Sequence, residues 1–293
     1  MKMTQRLREM MDSDEVIVHP GIHDAMSAQI AENVGFKMVS MGGTSLGLHL
    51  GFGEPRVNLG DLVCISRYIT QAINIPLKVD AGPGFGSDVQ LVRTIKELEK
   101  AGVAACHIED GVFPQRATHY IGLDPVISTE EMIYKIKVAV QARTDPDFVI
   151  IGRSSAMSNL GFAEGVRRAN LYLEAGADAV YVFPNTMEEA KLAPREINGY
   201  VAFNVMEGGA KPQLSVEQAG DMGYKFVQYA VLSTPVSAIA IKKSMEYLME
   251  TGKTGLDKDE TGEIMKYLLS LVGMDRMIEM ELLADKRKEQ ESK

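Results

Sequence analysis

The stretch Ala105–Tyr120, ACHIEDGVFPQRATHY, decides how this chain is read. Its first half is a short apolar run that ends in two adjacent acids, Glu109 and Asp110. Its second half opens on Gly111 and carries Arg116, Thr118, His119 and Tyr120 into a polar loop. In a (β/α)8 barrel, catalytic groups sit at the carboxyl ends of the strands and the loops that follow close over the substrate. An acid pair in that place can equally serve only to cap the next helix. A second stretch tips the balance. Leu77–Gly86, LKVDAGPGFG, is another apolar run ending in an acid, Asp80, and followed by alternating glycines. Carboxylates ending two strands one βα unit apart point to a metal site.

Outward from these two stretches the same alternation repeats. Strands are predicted at Val16–His19, Phe36–Met41, Pro76–Asp80, Val103–Ile108, Asp147–Arg153, Ala179–Phe183, Tyr200–Asn204 and Lys225–Tyr229, each followed by a helical pattern. That order predicts an α/β fold with an all-parallel sheet, a (β/α)8 TIM barrel over residues 1–250. A short amphipathic helix with Leu7, Met10 and Met11 on one side precedes the first strand. Residues 251–293 fall outside the eight units and contain two amphipathic stretches, Glu260–Leu271 and Met277–Leu283. Ile264, Tyr267, Leu268 and Leu271 make an apolar stripe with no barrel face left to cover, so this extension is expected to pack on a neighbouring subunit.

Composition narrows the function classes. With 45% hydrophobic and 24% charged residues the chain reads as a soluble globular protein. A net charge of -9 argues against a nucleic-acid surface. No apolar run approaches the ~18 residues of a membrane span, and the N-terminus lacks the apolar core of a signal peptide. Cys64 and Cys106 are far apart in apolar surroundings and read as reduced core thiols, which favours a cytoplasmic setting.

Other residues carry chemistry or decline it. The second strand empties into Gly42, Gly43, Thr44 and Ser45, whose free backbone N–H groups and two hydroxyls suit an anionic ligand, though a plain glycine turn has the same sequence. His19 and His23 sit near the first strand and are read as structural. His107 is expected to face the helix layer and is given no chemistry.

Six strings, in order, resemble one family: HPGIHDAMSAQIAENVGF, MGGTS, VDAGPGFG, HIEDGVFPQR, IIGRSSA and NVMEGG. Together they resemble the isocitrate lyase/phosphoenolpyruvate mutase superfamily, in particular its 2-methylisocitrate lyase-like branch, over residues 5–250. The resemblance implies a barrel with a helix swapped between subunits, a homotetramer and bound Mg²⁺. It implies Asp80 as direct metal ligand, Glu109 as a second acid reaching the metal through water, and Glu54 as a further outer-sphere acid. Arg153 then neutralises charge growing on the substrate. Gly42, Gly43 and Thr44 donate to its carboxylate, and Asn204, Glu207 and Gly208 form the opposite rim.

The chain also departs from the family's pattern. Gly82 stands where the metal loop has a second Asp, which implies weaker Mg²⁺ binding. Ala117 stands where the lyases' gate carries a general acid/base cysteine, leaving His119 as the proton carrier on the gate, with Tyr120 to assist. Ser154 and Ser155 replace the usual Thr-Asp after the arginine, and Asn185 replaces a frequent Glu after Pro184. The expected activity is that of a Mg²⁺-dependent carbon–carbon lyase. It would cleave a small 2-hydroxy or 2-oxo dicarboxylate through a metal-stabilised enolate. The alternatives are an oxaloacetate-type decarboxylase, a phosphonomutase or phosphonopyruvate hydrolase-like enzyme, and a non-catalytic 2-oxo-acid-binding protein.

Overall fold

Nearly every strand residue is buried, successive side chains pointing to opposite faces of the wall, and that two-residue alternation of direction builds the molecule. The computed structural model describes residues 1–121, 125–206, 209 and 211–291. Its strands are β1 (Ile17–Pro20), β2 (Val39–Met41), β3 (Leu77–Asp80), β4 (Ala105–Glu109), β5 (Val149–Ser154), β6 (Ala179–Val182), β7 (Val201–Val205) and β8 (Phe226–Tyr229). They form one eight-stranded parallel sheet in which every strand but the first pairs with its successor and β1 pairs with β8. The remaining gap, between β1 and β2, is bridged by Gly21 against Ser40, with Ile22 N–H donating to the Ser40 carbonyl at 2.8 Å. On its other side, a Cβ on Gly21 would fall 1.9 Å from the Ala230 carbonyl oxygen, so the close approach to the chain leaving β8 requires glycine. The fold is the expected (β/α)8 barrel.

The helices are α1 (Met3–Asp12), α2 (Ala25–Val34), α3 (Gly43–His49), α4 (Leu59–Ala72), α5 (Asp88–Lys100), α6 (Thr129–Ala142), α7 (Ala156–Asn159), α8 (Phe162–Glu174), α9 (Met187–Glu196), α10 (Val216–Met222), α11 (Ser233–Thr251), α12 (Lys258–Leu271) and α13 (Met274–Glu291). Two apolar cores follow from strand parity. Leu77, Val79, Cys106, Ile108, Ile150, Val180 and Val227 face outward into the layer beneath the helices. Ala105, Val149, Ile151, Ala179, Tyr181 and Phe226 face inward, where Leu7 and Met11 of α1 join them. The inward layer is therefore a packed core.

The chain forms two compact units, Met1–Thr234 and Pro235–Lys293. The first holds the barrel. The second holds most of α11 and all of α12 and α13; Ile239, Ile241, Met245, Ile264, Met265 and Leu269 are exposed. Among the described residues no helix is long and apolar enough to cross a membrane. Cys106 is buried as expected, but Cys64 is exposed: it lies on the outer side of α4, away from the buried Leu62, Val63 and Ser66.

Candidate active site

Parity also decides which polar side chains meet. Lys78 and Asp80 alternate with outward Leu77 and Val79, while His107 and Glu109 alternate with outward Cys106 and Ile108. Arg153 pairs in register with Glu109 across β4 and β5, and Asp80 with His107 across β3 and β4. The carboxyl ends of three adjacent strands thus place two acids, a histidine and an arginine on the inside.

Arg153 is the hub of this group. Its Nη1 donates to Asp80 Oδ2 at 3.1 Å, and its Nε lies 3.2 Å from Glu109 Oε2 as an ion pair. Its guanidinium carbon sits 5.2 Å from the centroid of the Phe183 ring. Burial alone would lower the arginine pKa, but Glu109, Asp80 and Glu54 reverse this and hold the group charged. Burial alone would raise the pKa of Asp80. The hydrogen bond from His107, the charge of Arg153 and the Gly82 N–H, 2.8 Å from Oδ1, hold it well below the usual carboxylate range. Gly82 adopts φ +50°, a left-handed conformation that turns its N–H back onto Asp80.

His107 corrects the expectation that it faces the helices. Its Nε2 lies 2.8 Å from Asp80 Oδ1, and its ring meets Tyr181 edge-on at 5.6 Å. The reason is parity: with Glu109 pointing inward, a residue two positions earlier must do the same. Burial pushes the His107 pKa down to about 4 despite the adjacent Asp80, so the ring is neutral at pH 7 and Nε2–H is the donor to the carboxylate. Beneath this layer Lys78 donates to Gln228 Oε1 at 2.6 Å, and burial lowers its pKa to about 7.

Asp110 points the other way. It accepts from Ser154 Oγ at 2.6 Å, the Ser155 N–H at 3.0 Å, Tyr172 at 2.9 Å and Arg168 at 3.3 Å. It anchors α8 to the end of β5, directly after Arg153. Of the two adjacent acids, only Glu109 belongs to the site.

The other expected groups gather from the β2 side. The segment after Gly42 is helical from Gly43 onward, not a plain glycine turn, so the N–H groups of Gly43 and Thr44 belong to the unpaired first turn of α3. Glu54 lies in a short 3-10 turn, Glu54–Arg56. It accepts a hydrogen bond from Thr44 Oγ1, and its Oε1 accepts from Gln115 Nε2 at 3.2 Å. Tyr120 Oη lies 3.4 Å from both Thr44 Oγ1 and Glu54 Oε2, so the polar loop after β4 reaches back over this corner. The side chain of His119, and all of Glu207 and Gly208, lie outside the described residues.

These groups open on a cavity of about 500 Å³ lined by Gly42, Gly43, Thr44, Glu54, Asp80, His107, Arg153, Asn204 and Gln228, among others. Its far rim holds a trio that the sequence reading missed. Lys211 Nζ donates to Ser158 Oγ at 2.5 Å and to Asn185 Oδ1 at 2.6 Å. Ser158 in turn donates to the Phe183 carbonyl at 2.9 Å. Lys211 has no ion pair among the described residues, whereas the charge of Arg153 is matched by two carboxylates.

The donor set fits a hard divalent cation, because Asp80, Glu109 and Glu54 supply carboxylate oxygens and no thiolate is near. Their oxygens do not form a trio within 4.8 Å of one another. That spacing suits an ion that touches one carboxylate and keeps several waters.

Comparison with known proteins gives the family. The Phosphoenolpyruvate phosphomutase family model matches residues 7–249. The chain is 35% identical to the 2,3-dimethylmalate lyase of Eubacterium barkeri, over 96% of this chain and 98% of that one. It is 36% identical to the 2-methylisocitrate lyase of Aeropyrum pernix, over 86% and 82%. Among solved structures it superposes on oxaloacetate acetylhydrolase in complex with 3,3-difluorooxalacetate with a TM-score of 0.89, 27% identity and coverage of 96% and 97%. It superposes on phosphonopyruvate hydrolase complexed with oxalate and Mg²⁺ with a TM-score of 0.84, 27% identity and coverage of 96% and 99%. The barrel and these matches place the chain in the phosphoenolpyruvate phosphomutase family, within the phosphoenolpyruvate mutase/isocitrate lyase superfamily.

Proposed function

We propose that the chain is a Mg²⁺-dependent carbon–carbon lyase acting on a small 2-hydroxy or 2-oxo dicarboxylate. The observation that carries this reading is Arg153, clamped between Asp80 and Glu109 at the carboxyl ends of the strands, facing a cavity also lined by Lys211, a cation with no ion pair among the described residues. Related enzymes by name cleave dimethylmalate and methylisocitrate, both small carboxylic acids, and one structural relative holds Mg²⁺ with oxalate.

Asp80 would hold the metal directly, with Glu109 and Glu54 through water. When bound, Mg²⁺ supplies positive charge beside the oxygens of a 2-oxo acid. The remaining work falls to this chain's side chains. The N–H groups of Gly43 and Thr44 receive the carboxylate next to the reacting carbon. Arg153 is fixed before substrate arrives, so its charge stabilises the growing negative charge without reorganising. Asn204 and Lys211 take the carboxylate at the other end, with Glu207 and Gly208 expected on the same rim. His119 and Tyr120, on the loop that reaches Glu54, carry the proton where the lyases have their cysteine. A homotetramer built through α11 to α13 completes the proposal, because those helices expose apolar side chains throughout.

A second reading is favoured by Ala117. With no thiol on the loop, decarboxylation of an oxaloacetate-like acid needs only the metal and Arg153 for bond breaking, the C–C electron pair passing into the enolate as CO₂ leaves. Lys211 separates a dicarboxylate enzyme from a binder of pyruvate-like acids. Lys211→Met should raise KM for dicarboxylates at least ~10-fold, the loss of one charge-assisted contact, with kcat less affected. An unchanged KM removes Lys211 from substrate recognition.

A further inference from the structure

Away from the cavity, His23, Asp24 and His49 place one ligand atom each within 4.8 Å of one another, and no other such trio occurs among the described residues. None of the three lines the catalytic cavity. We propose that His23, Asp24 and His49 form a second cation site, for Zn²⁺ or another imidazole-preferring divalent ion such as Co²⁺.

The local structure prepares each ligand for that role. Asp24 caps α2 with one oxygen, Oδ1 accepting from the Ser27 N–H at 2.7 Å, and this holds the carboxylate still. Its other oxygen faces His23 Nε2 at 3.7 Å, beyond hydrogen-bond reach. His23 Nδ1 lies 2.8 Å from Ser233 Oγ, at the start of α11. With Nδ1–H donating to that hydroxyl, Nε2 keeps its lone pair toward Asp24. A ring nitrogen tied to a polar group behind it is the arrangement that fixes the tautomer and direction of a metal-ligating histidine. His49 ends α3, and its ring stands 5.5 Å from that of His23, at 43°.

Two imidazoles and one carboxylate make a donor set suited to Zn²⁺ rather than to Mg²⁺, with the fourth tetrahedral position left to water. Bonds of ~2.0–2.2 Å space tetrahedral ligands about 3.3–3.6 Å apart, so the trio, already within 4.8 Å, has to draw in by roughly an ångström to hold an ion. Such an ion ties the end of β1 and the cap of α2 to the end of α3. The other end of α3 carries Gly43 and Thr44 of the catalytic cavity, so the ion steadies the helix that presents them.

The test uses the full chain and Zn²⁺ itself. Asp80→Asn removes the cavity's principal acid, so calorimetry on that variant should still report one Zn²⁺ per chain. Adding His49→Ala should weaken this binding at least ~100-fold. Adding Ser233→Ala should weaken it about 10–100-fold, because that hydroxyl only orients His23. As a check independent of Asp80→Asn, the otherwise native chain in excess Mg²⁺ should show the visible bands of tetrahedral Co²⁺, and His49→Ala should lose them. Circular dichroism confirms that each variant is folded. Absence of Zn²⁺ uptake by folded Asp80→Asn, or unchanged uptake and Co²⁺ bands after His49→Ala, overturns the proposal and leaves a helix cap beside two surface imidazoles.

Discussion

Glu109 and Asp110 are neighbours in the chain and face opposite sides of the barrel wall. Glu109 pairs with Arg153 inside at 3.2 Å, and Asp110 bonds Ser154, Tyr172 and Arg168 outside. The two acids should therefore fail differently. Asp110→Ala leaves Ser154, Tyr172 and Nη1 of Arg168 without their buried acceptor, while Arg168 keeps Glu164 at Nε, and should cost about 3 kcal/mol in chemical denaturation. Glu109→Gln should leave the fold intact while lowering turnover and Mg²⁺ affinity. Equal losses of stability in both would contradict the division.

Gly82 bears on the metal. A Cβ there meets nothing within 4 Å, and φ +50° is a conformation that Asp and Asn tolerate better than most residues. Gly82→Asp restores a carboxylate near Asp80 and should tighten Mg²⁺ binding in calorimetry. Unchanged affinity would mean that this loop does not shape the metal's shell.

Arg153 and His119 separate the two chemistries. Arg153→Ala should lower turnover ~10²–10³-fold on any substrate, the loss of a donor that acts on developing charge. His119→Ala should cost ~10²–10⁴-fold in a retro-aldol cleavage that needs a proton carrier. It should be mild for decarboxylation. Measuring both variants on oxaloacetate and on a methylisocitrate-like acid distinguishes them.

Much of this was legible in the sequence, and the exceptions have physical causes. Strand ends were readable because buried parallel strands are apolar runs that stop at charged or glycine residues, as at Asp80 and Arg153. The inward position of His107 was also available, since it shares parity with Glu109. The partners of Asp110 were not, because Arg168 and Tyr172 come from α8, more than a strand later in the chain. The start of α3 was hidden by its own composition, Gly43, Thr44, Ser45 and Gly47 being weak helix formers held there by packing. Lys211 sits in a glycine-rich stretch with no periodicity, and only the fold brings it to Ser158 and Asn185.

Acid should act on the α8 anchor. Hydrogen bonds from Arg167 and Arg168 push the pKa of Glu164 down to about 2 from an ordinary 4.5. The folded-state value is the lower one, so the stabilisation is present above pH 4.5 and is lost as pH falls toward 2. Because Glu164 is partly exposed, screening limits its worth to about 1 kcal/mol. Glu164→Gln should be less stable than the native chain at pH 7, and the difference should vanish near pH 2. A difference that persists at pH 2 would locate the effect elsewhere.

The central claim is that Asp80 and Arg153 organise a Mg²⁺-dependent cleavage of a small dicarboxylate. It is tested most directly by following a panel of 2-hydroxy and 2-oxo dicarboxylates by NMR, with and without Mg²⁺, using the native chain and Asp80→Asn. The account predicts carbon–carbon cleavage to pyruvate or a related 2-oxo acid with the native chain and Mg²⁺, and loss of it in Asp80→Asn or on chelation. Turnover that survives both chelation and Asp80→Asn, or a native chain with Mg²⁺ that binds these acids and cleaves none, would contradict it.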